Sequence, residues 1–176
     1  PQDIRERKGA FFTPRIWVEL SQKYLTDYLG ENWQDDYYIW DCAAGTGNLL
    51  AGLTNKYNIY ASTLDQADVN VMHERIDHGA NLLKNNVFQF DFLNDDFSKL
   101  PQSLKDIIND EEKRKKLVVY INPPYAESGD SKQRMGTGKN KANVASETMI
   151  YKIHSDNYGT ATRELFTQFL IRINSE

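Results

Sequence analysis

The chain has 176 residues, with 21 basic against 25 acidic side chains and a formal charge of −4 at neutral pH. Apolar residues make up 40%, charged ones 26% and aromatics 12%, a balance that excludes a disordered tail, a collagen-like fibre and a coiled coil. The length suits one domain burying about 70% of its unfolded surface. Mild acidity argues against nucleic-acid binding over the whole surface and leaves room for a local basic patch. The longest clean apolar run, Leu117 to Ile121, is far short of the roughly 20 residues of a membrane span. No charged-then-apolar leader precedes residue 20, and Cys42 is the single cysteine, so the expected location is a reducing cytoplasm, away from membranes.

In chain order, Thr13-Pro14 followed by Ile16, Trp17, Leu20, Tyr24 and Tyr28 predicts an amphipathic helix. Thr13 is the expected N-cap, Pro14 the first helical residue and Gly30 the stop. Tyr37 to Trp40 reads as a strand running into a glycine-bearing turn, with a helix from Asn48 to about Lys56. A second strand spans Asn58 to Leu64. Val69, Met72, Ile76, Ala80 and Leu83 then recur at helical spacing between Gln66 and Lys84. Val87 to Phe90 is a third strand, and a short helix around Leu104 to Ile108 interrupts a polar connection. Leu117 to Ile121 is a fourth strand, apolar on both faces as a central parallel strand should be. Ser128 to Asn143, with its glycines and no apolar periodicity, reads as a mobile loop, and Thr162 to Ile173 as a last amphipathic helix. Strands alternating with helices predict an α/β fold with a parallel sheet and right-handed crossovers.

The block DCAAGTGNLL, Asp41 to Leu50, joins the first strand to the expected first crossover helix. Gly45 and Gly47 allow a tight turn that a ligand can approach closely, and the backbone behind it offers unpaired N–H groups. A dinucleotide turn would have a third glycine where Leu50 stands, and the Gly-Lys-Ser/Thr of a phosphate-gripping loop is absent. A plain strand-to-helix turn is the competing reading. Asp41, Asp65 and Asp91 lie at or just past the ends of successive strands, where ligands of open α/β sheets bind. Three acids there suit a ligand with an amino group, ribose hydroxyls and an exocyclic amine; S-adenosylmethionine matches this better than NAD. Helix capping by each acid separately is the alternative.

INPPYAE, Ile121 to Glu127, comes directly after the fourth strand. Pro123 and Pro124 fix φ and remove two donors, so the carbonyls of Asn122 and Pro123 join the Asn122 amide as a cluster of acceptors. Such a cluster can bind both hydrogens of an –NH₂ group, and Tyr125 supplies a face on which a planar base can stack. An aryl amine is a poor nucleophile because its lone pair is delocalised into the ring. Drawing both hydrogens out of the plane localises that pair for attack on a methyl carbon. Catalysis of this kind is positioning and hydrogen bonding, with no metal or covalent nucleophile. A proline-rich turn bearing a surface tyrosine is the structural alternative.

With these segments in view, the sequence resembles the amino-methyltransferases of bacterial restriction–modification systems that make N6-methyladenine in DNA. GAFFTP (Gly9 to Pro14) resembles the family's N-terminal cofactor motif, DCAAGTGNLL its glycine motif, QFDFL (Gln89 to Leu93) its adenine-contacting motif and NPPY (Asn122 to Tyr125) its catalytic motif. NPPY is shared with glutamine N5-methyltransferases and some ribosomal RNA guanine methyltransferases, whereas the GAFFTP element discriminates. The resemblance implies a Rossmann-like S-adenosylmethionine-dependent methyltransferase fold in one catalytic domain, residues 1–176, with an N-terminal cofactor helix at 1–30 and a core at 37–176. It implies that Phe12 and Thr13 contact the cofactor, Thr13 at the methionine end. Asp41, Ala43, Gly45, Gly47 and Asn48 would hold the amino-acid part, Leu64 and Asp65 the ribose side, and Asp91 the adenine amine with Phe92 beside that ring. Asn122, Pro123 and Pro124 would grip the target amine, and Tyr125 would stack on its base. Two departures stand out: Thr63 occupies the usual acid position at the second strand's end, and Cys42 replaces a frequent proline.

The partner implied is double-stranded DNA with a flipped adenine, together with a restriction or specificity subunit or a fused domain. Lys132, Arg134, Lys139 and Lys141 in the glycine-bearing loop are candidates for the flanking phosphates, against a merely solvated loop. The resemblance implies further strands and a recognition domain beyond Glu176, so the expectation is an N-terminal piece of a longer protein, inactive in isolation. Rival readings are an RNA or protein-glutamine methyltransferase on the same core, or a catalytically silent cofactor-binding or DNA-tethering module.

Overall fold

A computed structural model describes residues 13–123 and 165–175. Within it the chain divides into two compact units, residues 12–122 and residues 1–11 with 123–176. The first holds helix α1 (Arg15–Leu29), α2 (Trp33–Asp36), β1 (Tyr38–Asp41), β2 (Ile59–Thr63), α3 (Gln66–Asp77), β3 (Val87–Gln89), α4 (Gln102–Asn109), α5 (Glu111–Arg114) and β4 (Leu117–Val119). The second contributes α6 (Leu165–Ser175).

The four strands form one sheet in the order β3-β2-β1-β4, with every pair parallel. Alternation of side chains sends successive residues to opposite faces. On one face Ile39, Ile59, Ala61 and Val87 form a core with Val18 of α1 and Val69 and Met72 of α3. On the other, Trp40 is buried and hydrogen-bonds Ser62 Oγ through Nε1 at 3.0 Å. Its ring packs near Phe90, Phe92 and Phe97 at 5.5–6.3 Å between centroids. Helix α4 is tied to that side by Tyr60, whose hydroxyl donates to Ser103 Oγ at 3.0 Å. The layers are those of an α/β fold built on a parallel sheet. No helix among the described residues is long and apolar enough to cross a membrane.

Several expectations need correction. Helix α1 starts one residue later than predicted: Pro14 is the N-cap, and its carbonyl accepts from the amides of Trp17 and Val18 at 3.0 and 3.2 Å. The predicted inward stripe is in fact exposed, Ile16 by 70%, Trp17 by 59%, Leu20 by 39%, Tyr24 by 66% and Tyr28 by 88%. Val18 is buried instead, with Leu25 and Leu29 against the core. The inward face also carries Ser21, Gln22 and Thr26, whose side chains are all hydrogen-bonded; polar groups satisfied this way are buried at little cost.

The helix expected from Asn48 is only a 3₁₀ turn, Asn48–Leu50, because Ala51 returns to extended backbone. Helix α3 stops at Asp77, so Ala80 and Leu83 lie beyond it. Strand β4 is half-buried throughout and, among the described residues, stands at the end of the strand order, the edge left to it where no fifth strand lies beside it.

Candidate functional site

In this strand order the chain leaves β1 for β2 on one side and returns later to place β4 on the other. The crossovers therefore diverge between β1 and β4, the point where open α/β sheets bind their ligands beyond the carboxyl strand ends. Two of the predicted motifs emerge there. Trp40 is level with Val119 in the ladder, and the Tyr120 amide donates to the Trp40 carbonyl at 3.0 Å. Asp41 and its turn thus leave β1 beside Tyr120, Ile121 and Asn122 leaving β4.

The turn is held from both sides. The Ala44 amide donates to the Ser62 carbonyl at 3.0 Å, tying it to β2. From α3, Arg75 Nη1 donates to the Thr46 carbonyl at 2.7 Å and to Asn48 Oδ1 at 3.3 Å. Gly45 and Gly47 have φ of +55° and +86°, the left-handed region that costs other residues about 1–2 kcal/mol. A Cβ at Gly47 would lie 3.2 Å from Met72 Sδ, whereas one at Gly45 would meet nothing within 4 Å among the described residues. Gly45 therefore borders open ground that a ligand can occupy. Thr46 Oγ1 is buried without a hydrogen-bond partner among the described residues, and a cavity of about 580 Å³ adjoins the turn, lined by Thr46, Gly47, Asn48, Met72 and Arg75 among others.

Parallel strands bring the three acids to one sheet edge. Asp41 is buried, and its Oδ1 accepts from the Ala43 amide at 3.1 Å. Burial pushes its carboxyl up to about 7, with that one hydrogen bond opposing. Asp65 is half-buried at the N-cap of α3, with no side-chain cap bond to the helix. Leu64 beside it is 50% exposed, and Thr63, at the usual acid position, is buried. Asp91 accepts from the Leu93 amide at 3.2 Å and from Asn94 Nδ2 at 2.9 Å. Phe92, expected beside a cofactor ring, is buried with its ring edge-on to Trp40, a place in the core. These groups fit S-adenosylmethionine: a buried acid for an ammonium, apolar surface beside an acid for the nucleoside, an orphaned hydroxyl and a glycine facing open space.

Cys42 is buried, and its thiol is raised well above the usual range by burial and by the charge of Asp41. Since the thiolate is the reactive form, Cys42 is expected to resist iodoacetamide in the native protein and to react on unfolding. Peptide mapping of the alkylated site checks this.

Asn122 Nδ2 donates to Thr13 Oγ1 at 2.9 Å, which joins the N-terminal motif to the catalytic one across 109 residues of sequence. Thr13 is thus engaged in the site and does not cap α1. Pro123 is buried. Phe12, Pro124, Tyr125 and the basic residues Lys132, Arg134, Lys139 and Lys141 lie outside the described residues, as does the predicted loop. Among the described residues no group of His, Cys, Asp or Glu is arranged to hold a metal ion. Arg75, Ser21 and Gln22 were not singled out from sequence. Isolated polar residues on helices carry no signal of their own, and only the inward phase of α1 reveals the last two.

The family model of the N-6 DNA methylases matches residues 2–161. Among solved structures, the chain is similar in fold to one in the cryo-EM structure of a DrdV–DNA complex, with a TM-score of 0.59 at 18% identity over 99% of this chain and 20% of that one. A second similarity is to the ATP-dependent Type ISP restriction-modification enzyme LlaBIII bound to DNA, with a TM-score of 0.48 at 14% identity over 94% of this chain and 14% of that one. The chain spans a fifth or less of those two proteins. No curated protein matches it significantly. With the glycine turn and Asn122 side by side where the strand order reverses, and the match running through both, the chain belongs to the N-6 DNA methylase family.

Proposed function

We infer that this chain is the cofactor-binding and catalytic part of a DNA adenine-N6 methyltransferase of a restriction–modification system. The observation that carries the reading is the convergence of the Asp41 turn and Asn122 on the β1–β4 junction, with Thr13 bonded to Asn122. S-adenosylmethionine, when bound, supplies a methyl group activated by its sulfonium. Asp41 would receive the ammonium while Ala43 to Gly47 and Asn48 cradle the amino-acid part. Leu64 and Asp65 would face the nucleoside, and Asp91 its exocyclic amine. Thr13 and Phe12 would close the methionine end.

At the target, Asn122 Oδ1 and the Pro123 carbonyl would accept the two hydrogens of the adenine amine. Pro124 would stiffen that backbone and Tyr125 would stack on the flipped base. Drawing the hydrogens out of plane would localise the nitrogen lone pair for attack on the methyl group that S-adenosylmethionine would supply, and the amine's spare proton would pass to water. Stacking of this kind is worth about 1–3 kcal/mol per base, and the geometry supplies the rest by alignment. The partner in this reading is double-stranded DNA, with Lys132, Arg134, Lys139 and Lys141 on flanking phosphates; the DrdV complex of similar fold holds DNA. Further segments or subunits of a restriction–modification assembly would read the sequence.

The test is transfer of labelled methyl from S-adenosylmethionine by the full-length protein, with digestion of the product to nucleosides. N6-methyladenine in DNA is expected. Label found instead in RNA, in glutamine side chains or nowhere overturns the reading.

A further inference from the structure

Helix α1 is polar where it faces the sheet, and its inward polar groups reach both halves of the site. Ser21 Oγ donates to the Val18 carbonyl at 2.9 Å and is also hydrogen-bonded to the Tyr120 hydroxyl. With its proton committed inside the helix, Ser21 is the acceptor and Tyr120 the donor. Tyr120 directly follows β4 and precedes Asn122 by two residues. The next residue of the helix, Gln22, donates through Nε2 to the carbonyls of Leu49 and Ala51 at 3.2 and 2.8 Å. Those two carbonyls belong to the 3₁₀ turn at the end of the cofactor block and the residue capping it.

Adjacent residues of one helix thus hold the catalytic strand end and the cofactor turn, and just before the helix Thr13 holds Asn122 itself. A continuous helix is a stiff spacer, so these points keep a common frame. Methyl transfer needs that frame, because misplacing reacting atoms by about 1 Å costs about 10²-fold in rate. The half-buried polar groups of this face are placed for hydrogen bonding, while the apolar ones at 16, 17 and 20 stay outside.

We propose that Ser21 and Gln22 are positioning residues that fix the cofactor turn and the catalytic end of β4 on one helix, setting the distance between methyl donor and target amine. The proposal rests on the methyltransferase reading above. Neither residue touches cofactor or base in it; Ser21 acts through Tyr120, and Gln22 through the Leu49 and Ala51 carbonyls and its own hydrogen bond with the Tyr120 hydroxyl.

The experiment compares Ser21→Ala, Tyr120→Phe, their double variant, Ser21→Thr and Gln22→Glu in the full-length protein. Single-turnover methyl transfer and calorimetric S-adenosylmethionine affinity are read together. Tyr120→Phe removes one hydroxyl and nothing else, and Gln22→Glu keeps the volume of the side chain without its donors. Ser21→Ala and Tyr120→Phe are expected to slow transfer by about 10–100-fold with cofactor Kd unchanged within about twofold. The double variant should be no slower than the worse single one, and Ser21→Thr should recover most of the rate. Gln22→Glu should also raise the cofactor Kd, by about tenfold. Wild-type rates in Ser21→Ala and Tyr120→Phe would overturn the proposal. So would losses that vanish once rates are normalised to cofactor-binding protein, the result a merely structural role predicts. An inactive wild type overturns the methyltransferase reading instead, and an active wild type with unaltered variants overturns only the positioning role.

Discussion

Asn122→Ala in the full-length protein is expected to slow methyl transfer on the order of 10³-fold, the scale of losing a preorganised hydrogen-bonding group at a reacting centre, while cofactor affinity stays near wild type. The Nδ2 atom of Asn122 donates to Thr13 Oγ1 at 2.9 Å, and in the methyltransferase reading proposed above Oδ1 takes the acceptor's role toward the target amine. Removing the side chain leaves one of the amine's hydrogens without its protein acceptor in the transition state, when the lone pair must localise. Thr13→Val, which deletes only the partner of Nδ2, should cost less, about tenfold, because the amide keeps its chemistry and loses its aim. Single-turnover transfer to a duplex carrying the target site, alongside S-adenosylmethionine titration, separates the two effects. An Asn122→Ala protein that methylates at the wild-type rate is incompatible with this chemistry.

The second large effect is electrostatic. The Asp41 carboxyl moves from 3.8 to about 7 on folding because burial disfavours its charge. Between those values the folded protein keeps a proton that the unfolded chain has released, so the unfolded state binds fewer protons. Stability contributed here is therefore greatest at the acid end of the window and falls as pH rises towards 7, by on the order of 4 kcal/mol in all. Asp41→Asn should flatten that slope and exceed the wild type in stability above pH 7. The same substitution should weaken cofactor binding by about 1–3 kcal/mol, because the ammonium loses its charged partner. In the wild type, affinity should rise with pH up to about 7 and then level, with a proton released on binding below it. Thermal unfolding across this range, with calorimetry in buffers of different ionisation enthalpy, measures both. Parallel pH curves for wild type and Asp41→Asn would show that Asp41 is not the group responsible.

The strands and the glycine turn were legible because their determinants are local. Ile59 to Thr63 alternates between two buried faces, Asp41 closes an apolar strand, and Gly45 and Gly47 stand at left-handed φ that other residues avoid. Helix α1 was legible as a helix and wrong in its facing. Its apolar residues obey a helical period, but Ser21, Gln22 and Thr26 satisfy their polar atoms on the sheet side, and periodicity cannot anticipate a partner from another element. The helix expected after Asn48 failed for a related reason. The turn is held by Ser62, Arg75 and Gln22, not by helical propensity.

By itself, then, the sequence determined the α/β class, the kinds of chemistry available at Asp41, Asp91 and Asn122, and the family resemblance that the match over residues 2–161 supports. Only the tertiary structure decided which of these meet. Strand order is set by crossovers between segments far apart in the chain. It is this order, β3-β2-β1-β4, that puts Asn122 beside the Asp41 turn. The same long-range closure brings Thr13 to Asn122 and lifts the Asp41 carboxyl by burial, a shift that depends on what surrounds the group and not on its neighbours in sequence.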